Sequence, residues 1–415
     1  MSVSDRWHKS RPKSDEPKCK CRPAKVPTAD HGQGERWQVR YRDEAGHQRK
    51  KNFSERFGND PNTCADAFDA KVKDQIKSGT WINPDDGLIK FSEYAEQWRT
   101  TRLHREATRV LVERALRLYI NPVIGDLPLS AVRRKHIQKL VNEATRTLSP
   151  ATLEVVYGYV ASIFRSAIQE PVIGRSPCVG IQLPAKPAKK VQPLSVAQVV
   201  ALGEELPRRY RATILTASST GLRPGEIFGL EVDCIDFLRR TLNVRQQLIT
   251  GLEEGHVAYL GEPKTPQSVR TVPLTQGVVD MLAAHLAEFP ATTVEIEDRT
   301  DPRKPRLRKA DLLFTTTIGT PVRRGTWGDI WRPAAEKVGL PPRTGLHIGR
   351  HTYASALIRF GESVKTVQML LGHKSPTITL STYAHLWPDS DDRARLAVDA
   401  LFADVPSLCP AAKEA

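Results

Sequence analysis

The spacing of apolar residues changes twice along this chain, and each change demands a different way of burying an apolar face. Trp37, Val39 and Tyr41 alternate with Arg36, Gln38, Arg40 and Arg42, the period of two that marks a half-buried strand. A turn at 43–46 and a second strand over 47–53 follow, then a helix over 63–77 with Ala67, Ala70, Val72 and Ile76 on its inner face. This spacing predicts a small sheet with a helix on its back; its outer face is cationic, carrying Arg40, Arg42, Arg49 and Lys50. From 88 to 187 the spacing becomes three and four residues: Phe91, Tyr94, Ala95 and Trp98; Val110, Leu111, Ala115 and Leu118; Val132, Ile137, Leu140 and Val141; then Leu153, Val156, Tyr157, Val160, Ile163, Phe164 and Ala167. Pro122, Pro128 and Pro150 mark helix boundaries, so four helices form a bundle. Past the stiff basic linker at 184–190, residues 192–405 mix both periods. Helices are expected from Ser195 and over 210–219, strands over 241–247 and 268–273, and a loop over 291–311. The fold class is therefore mainly α with smaller β elements: an N-terminal three-stranded sheet plus helix, a helical bundle, and a mixed α+β region. Residues 1–33 read as a basic disordered tail and 406–415 as a second tail.

Charge narrows the function. Lysine and arginine number 62 against 47 acids, leaving +15 and a pI near 9.6. Such an excess points to a polyanionic partner, with nucleic acid first. The bundle region alone carries 15 Lys/Arg against 8 Asp/Glu, a net +7, and Arg133-Arg134-Lys135 is its best phosphate-facing patch. No apolar run is long enough to span a membrane, and the polar N-terminus does not resemble a secretory signal. The six cysteines are scattered and fit reduced thiols in a cytoplasm. Only Cys19 and Cys21 lie close, and C-x-C without a second pair is a poor zinc signature. No metal site and no cofactor are expected. Phosphate-binding glycine loops, H-E-x-x-H and a two-metal acid cluster are all missing from the sequence. Chemistry on nucleic acid would have to proceed without nucleotide hydrolysis.

What remains is a dispersed set of cations. Thr220-Gly221-Leu222-Arg223-Pro224-Gly225-Glu226 places Arg223 where a helix starts, with Glu226 able to hold the guanidinium. Pro263-Lys264-Thr265 falls at the tip of an expected hairpin. His347 and Arg350 stand three apart on one helix. Leu371-Gly372-His373 closes another helix, and Tyr383 follows ten residues later.

The order Arg223, Lys264, His347-x-x-Arg350, Gly372-His373, Tyr383 resembles the tyrosine recombinases of the phage-integrase type. At motif level the resemblance covers 194–401; the bundle at 88–187 resembles the family's core-binding domain and the sheet at 34–84 its arm-binding domain. Two departures are visible: Ile348 stands where the family often has an acid, and Gly349 is a poor helix residue, costing about 1 kcal/mol against alanine. The resemblance implies cleavage by Tyr383 through a 3′-phosphotyrosyl ester, which conserves bond energy and needs no ATP. It implies Lys264 as the acid for the leaving oxygen, with His347 and His373 hydrogen-bonding the phosphoryl group. Two arginines, Arg223 and Arg350, suit a transition state with extra charge on non-bridging oxygens. Double-stranded DNA with core and arm sites, assembly as a homo-tetramer on synapsed duplexes, an excisionase and a DNA-bending host protein are the implied partners, in the cytoplasm of a bacterial host. The alternatives are type IB topoisomerase relaxation or a catalytically silent DNA-binding regulator. Tyr353, the nearest rival nucleophile, reads as packing, His385 as local structure, and 393–402 as a short amphipathic helix.

Overall fold

A computed structural model describes residues 2–43, 46–83, 85–187, 191–251, 257–387, 395 and 398–401. The chain divides into two compact units, residues 1–187 and 188–415.

In the first unit, β1 (Ser2–Asp5), β2 (Trp37–Arg42) and β3 (Gln48–Phe53) form an antiparallel sheet in that order. Helix α1 (Ala65–Lys77) covers the face that carries Val39, Tyr41 and Phe53. The three-stranded sheet is as expected, but its third strand comes from the tail expected to be disordered. The physical reason is an edge: without β1, β2 would show a row of unpaired backbone groups, and Ser2 to Asp5 satisfy them opposite Arg40 to Trp37. Residues 6–34 then fold back as a series of turns, in which His8 and His31 meet Cys19 and Cys21. Arg49 is also placed differently from the expectation. It pairs across the ladder with Tyr41, on the helix side, and its guanidinium is taken up by Asp43 (3.1 Å) and Asp85. The open face therefore presents Arg40, Arg42 and Lys50 without it.

The bundle comprises α2 (Phe91–Thr101), α3 (Glu106–Ala115), α4 (Asn121–Ile124), α5 (Arg134–Ala144) and α6 (Pro150–Gln169). A π-helical turn, Leu116–Ile120, joins α3 to α4 in one continuous rod, so Pro122 does not end the helix. It sits in α4 directly after the π turn, where the regular backbone ladder is already interrupted. The inner stripe of this rod is Val112, Leu116, Ile120 and Ile124, while Leu111 and Leu118 face outward. A strict four-residue repeat drifts by about 40° per step around an ordinary helix; the wider π turn brings it back to the core. The other three apolar stripes bury as expected.

The second unit is built around α8 (Arg211–Thr220), buried nearly all round. Its threonines return their hydroxyls to helix carbonyls, as Thr216 does to Ala212 at 2.7 Å. Packed on it are α7 (Val196–Glu205), the short α9 (Pro224–Phe228), α10 (Gln276–Glu288) and α12 (His347–Arg359); α11 (Arg324–Lys337) packs on α7, α13 (Val364–Leu371) on α12, and α14 (Pro376–Tyr383) on α13. Strands β4 (Ile235–Asp236), β5 (Thr241–Val244) and β8 (Arg270–Pro273) form one sheet in the order β4-β5-β8. Strands β6 (Gln247–Ile249), β7 (Tyr259–Gly261), β9 (Thr292–Arg299) and β10 (Arg306–Leu312) form a second, in the order β10-β9-β7-β6.

Two expectations fail here. The stretch 241–247 is two strands in two sheets, so Lys264 lies on the connection from β7 to β8 and not at a hairpin tip. The stretch 291–311 is a hairpin, not a loop. Val294 and Ile296 bury on one face of β9, and Asp298 follows them inward because Arg308 (2.7 Å) pairs with its carboxylate. Charged residues disguised the alternation. Of the C-terminal helix expected at 393–402, only Arg395 and 398–401 are described, and the tail at 406–415 lies outside the described residues.

Candidate active site

Four turns of chain converge on α8 to form the site. Helix α8 ends at Gly221, whose φ of +66° is a left-handed cap; a Cβ there would stand 2.5 Å from the Tyr353 ring. The chain then reverses, and Arg223 becomes the N-cap of α9. Its side chain reaches Glu226 (2.7 Å), the Ser268 hydroxyl (3.0 Å) and the Gly372 carbonyl (3.3 Å). Glu226 is only 1% exposed and also receives Arg270 at 3.0 Å. Burial would raise its carboxyl, but Arg270 and then Arg223 outweigh that and hold its pKa below the ordinary value. One buried carboxylate thus fixes two guanidinium groups.

Arg350, on α12, is 2% exposed and donates to two backbone carbonyls, Gly221 at 2.7 Å and Leu371 at 2.6 Å. These are the last turns of α8 and α13, where carbonyls lack helical partners and attract a cation. Gly349 explains how α12 comes so near. A Cβ at that position would lie 2.6 Å from Cβ of Ala217 on α8. The residue that looked like a weak helix former is therefore a contact between two backbones.

His373 follows the left-handed Gly372 (φ +64°) and is tied by Nδ1 to the Thr379 hydroxyl at 2.9 Å. Its ring stacks on Tyr383, centroids 6.5 Å apart and 13° from parallel. Burial, then Arg350 and Arg223, push the His373 pKa down to about 3. His347 keeps an exposed edge at the start of α12; the protein around it, then His351 and Arg350, lower its pKa to about 4. Both imidazoles are neutral at neutral pH.

Tyr383 closes α14 and is 1% exposed. Its hydroxyl lies 2.7 Å from Nδ1 of His351, and burial, partly offset by Arg350, raises its pKa to about 12. Burial and then Arg350 lower the pKa of His351. The pair is a neutral phenol facing a neutral imidazole, so the hydroxyl can donate its proton to Nδ1.

Arg223, His347, Arg350, His373 and Tyr383 are thus gathered in one site, although 160 residues separate the first from the last. Lys264 is exposed on its connection and makes no hydrogen bond or ion pair among the described residues. Sequence reasoning missed three contributors. Arg270 looked like an ordinary strand residue; nothing local betrays its reach to Glu226. Ser268 is fully buried between Arg223 and Gly372. His351 was findable, because it stands one helical turn after His347 and their rings meet edge to face at 4.9 Å. Tyr353 is core, packed with Ala354, Ile358, Val367 and Leu371. His385, expected to serve local structure, instead contacts the Val191 carbonyl at 3.2 Å, 194 positions away in the chain.

The model of the phage integrase family matches residues 192–389, and that of the phage integrase central domain matches 91–182. The chain is a tyrosine recombinase. It belongs with DNA strand-transferring enzymes that act at specific sites. Among its relatives is a tyrosine recombinase XerC-like protein of Caldanaerobacter subterraneus subsp. tengcongensis, 28% identical over 81% of this chain and 89% of that one. The Tn1549 transposon integrase, solved with transposon right-end DNA, has a TM-score of 0.64 at 23% identity, covering 76% of this recombinase and 100% of that chain. A lambda integrase tetramer bound to a Holliday junction gives 0.52 at 18% identity over 81% and 93%. The first 90 residues of the recombinase fall outside both family models.

Proposed function

We propose that Tyr383, Arg223, Arg350, Lys264, His347 and His373 are the groups with which this recombinase cuts and rejoins DNA. Tyr383 Oη forms a bond to the scissile phosphorus while the bond to the 5′ oxygen breaks, giving a 3′-phosphotyrosyl ester and a free 5′ hydroxyl. The phenol proton passes to a neutral histidine: His351 holds it in the resting geometry, and His347 stands next in line. Lys264 gives the proton taken by the leaving oxygen. Arg223 remains partly exposed and offers planar donors to non-bridging oxygens, and the buried charge of Arg350 supports the same growth of negative charge. One arginine at a phosphoryl transition state is worth about 10³ to 10⁵ in rate.

The observation that carries this reading is the convergence of four dispersed motif residues around one phenol in a site flanked by three neutral imidazoles. DNA arranged as core and arm sites is the proposed substrate, read by the bundle at 88–187 and by the sheet at 34–84. The tetramer on a Holliday junction formed by lambda integrase supports assembly of four copies here, and an excisionase and a DNA-bending host protein are proposed accessory partners. Topoisomerase-like relaxation is the second reading, since it uses the same ester; the additional basic modules favour recombination.

On a nicked suicide substrate the wild-type protein should form a covalent adduct mapping to the peptide that contains Tyr383, and Tyr383→Phe should form none while retaining DNA affinity. An adduct in the variant would move the nucleophile elsewhere.

A further inference from the structure

Residues 6–34 hold a defined path with almost no apolar core. Cys19 and Val26 are their only buried hydrophobic residues, joined by the buried His8. Even so, backbone hydrogen bonds cross the segment: Lys9 N–H to Val26 O at 2.9 Å, Thr28 N–H to Trp7 O at 2.9 Å, and Cys19 N–H to Lys25 O at 2.7 Å. A stretch this short of buried apolar surface needs a cross-link to outweigh the entropy of ordering it.

The cross-link is suggested by four side chains that meet at its centre. His8 Nε2 lies 3.4 Å from Cys21 Sγ, and His31 Nε2 lies 3.1 Å from Cys19 Sγ and 3.2 Å from Cys21 Sγ. The two sulfurs are 2.8 Å apart, both thiols are free, and all four donor atoms fall within 4.8 Å of one another. In a tetrahedral zinc site, bonds of about 2.3 Å to sulfur and about 2.0–2.1 Å to nitrogen put the donors roughly 3.3–3.8 Å apart. The sulfur–sulfur and the three sulfur–nitrogen separations lie within about an ångström of that geometry. Two sulfurs and two imidazole nitrogens are soft and borderline donors, suited to zinc and unsuited to magnesium or calcium.

The surroundings have the form of a metal site as well. His8 turns Nε2 inward because its Nδ1 faces the Asp5 carboxylate at 2.9 Å. Asp5 is itself fixed by Arg36 at 2.8 Å and by the Trp7 N–H at 3.1 Å. A carboxylate behind a ligating histidine sets the tautomer and the ring orientation.

We propose that His8, Cys19, Cys21 and His31 bind one zinc ion that folds the N-terminal segment onto the sheet. All four positions are filled by protein, so the ion is structural. Two thiolates balance its charge, which leaves the surrounding positive field intact. The folded segment brings Arg6, Lys9, Arg22 and Lys25 to the same groove as Arg40 and Lys50 on the open sheet face. The sequence hid the site because its other two ligands are single histidines, 11 residues before Cys19 and 10 after Cys21. A consequence, resting on the DNA reading above, is that the zinc shapes the surface that grips arm DNA.

The test is elemental analysis of the full-length protein, purified without a metal-binding tag. One zinc per chain is expected in the wild type and in Cys64→Ser, with background levels in Cys19→Ser/Cys21→Ser. Replacement by cobalt(II) should give the visible bands of a tetrahedral ion together with thiolate charge transfer. Zinc-free wild type without such a spectrum, equal zinc in the double variant, or a Cys19–Cys21 disulfide in the freshly isolated protein would each overturn the proposal. Chelation should then weaken arm-DNA binding while leaving adduct formation on an isolated core site. If zinc is present but its removal leaves arm binding unchanged, the metal site stands and the groove assignment falls.

Discussion

A phenol held near pKa 12 beneath a neutral imidazole is a poor nucleophile, and the way Tyr383 is held indicates what must change before it attacks. Its hydroxyl must be exposed to a phosphate and then lose its proton, and depressed histidine pKa values keep acceptors ready for that proton. Lys264 meets the opposite demand at the leaving oxygen. If it is the acid, a substrate with sulfur in place of the bridging 5′ oxygen should not need it, since a thiolate leaves unaided. Lys264→Ala should cleave ordinary DNA at least about 10²-fold more slowly, the usual scale for general acid catalysis, yet match wild type on the sulfur substrate. A defect on both would make Lys264 a positioning residue. His373 adds a consequence for stability. Its pKa is about 3 when folded and about 6.5 when unfolded, so the unfolded chain binds the extra proton between those values and stability falls as pH drops from about 6.5 towards 3. Chemical denaturation across that window should show His373→Asn losing less stability per pH unit than wild type, by up to about one proton taken up on unfolding. Identical slopes would mean that His373 is charged in the folded protein.

At the level of elements, Gly349 sets two helix effects against each other. Alanine there should gain about 1 kcal/mol in helix propensity. Against this, a Cβ 2.6 Å from that of Ala217, with α8 backbone atoms at 3.1 Å, cannot be relieved by rotating a side chain. Overpacking costs about 1–3 kcal/mol, and because backbone must move the clash should win. Gly349→Ala is expected to melt at a lower temperature than wild type and to cleave more slowly as Arg350 shifts; a more stable variant would mean that α12 and α8 separate freely. The same contact shows what the sequence revealed and what it did not. The bundle was legible because its stripes repeat at helical spacing, and the motif residues because their chemical types and order are unusual. The outer face of α3 was misread because a π turn changes the repeat. The hairpin of β9 and β10 was missed because Asp298 sits at an inward position and only its pairing with Arg308, ten residues away, permits that. Arg270, Ser268 and the histidine–cysteine cluster depend on contacts between distant segments, which no local pattern records.

For the molecule as a whole, the excess of +15 is not spread evenly over roles. Some cations are internally committed: Arg49 to Asp43, Arg308 to Glu231 and Asp298, Arg134 to the Gly180 carbonyl at 2.7 Å. Arg133 likewise reaches the Ser130 carbonyl, which leaves Lys135 as the more available member of the bundle patch. On the sheet, Arg40 and Lys50 sit opposite each other in the β2–β3 ladder, exposed and bearing no ion pair among the described residues. A phosphate contacted by such a side chain releases a counterion, and each contact steepens the dependence of log K on log salt by about 0.9. Arg40→Glu/Lys50→Glu should therefore weaken binding to arm DNA and flatten its salt slope by about 1.8. Adduct formation by Tyr383 on an isolated core site should stay at the wild-type level, because the substituted residues lie on the sheet, outside both the bundle proposed to read the core site and the unit that carries Tyr383. Titrations of both DNAs over a series of salt concentrations separate the possibilities. An unchanged arm slope would mean that the open sheet face does not touch phosphate, whereas a parallel loss on core DNA would mean that the two sites are not read by separate surfaces.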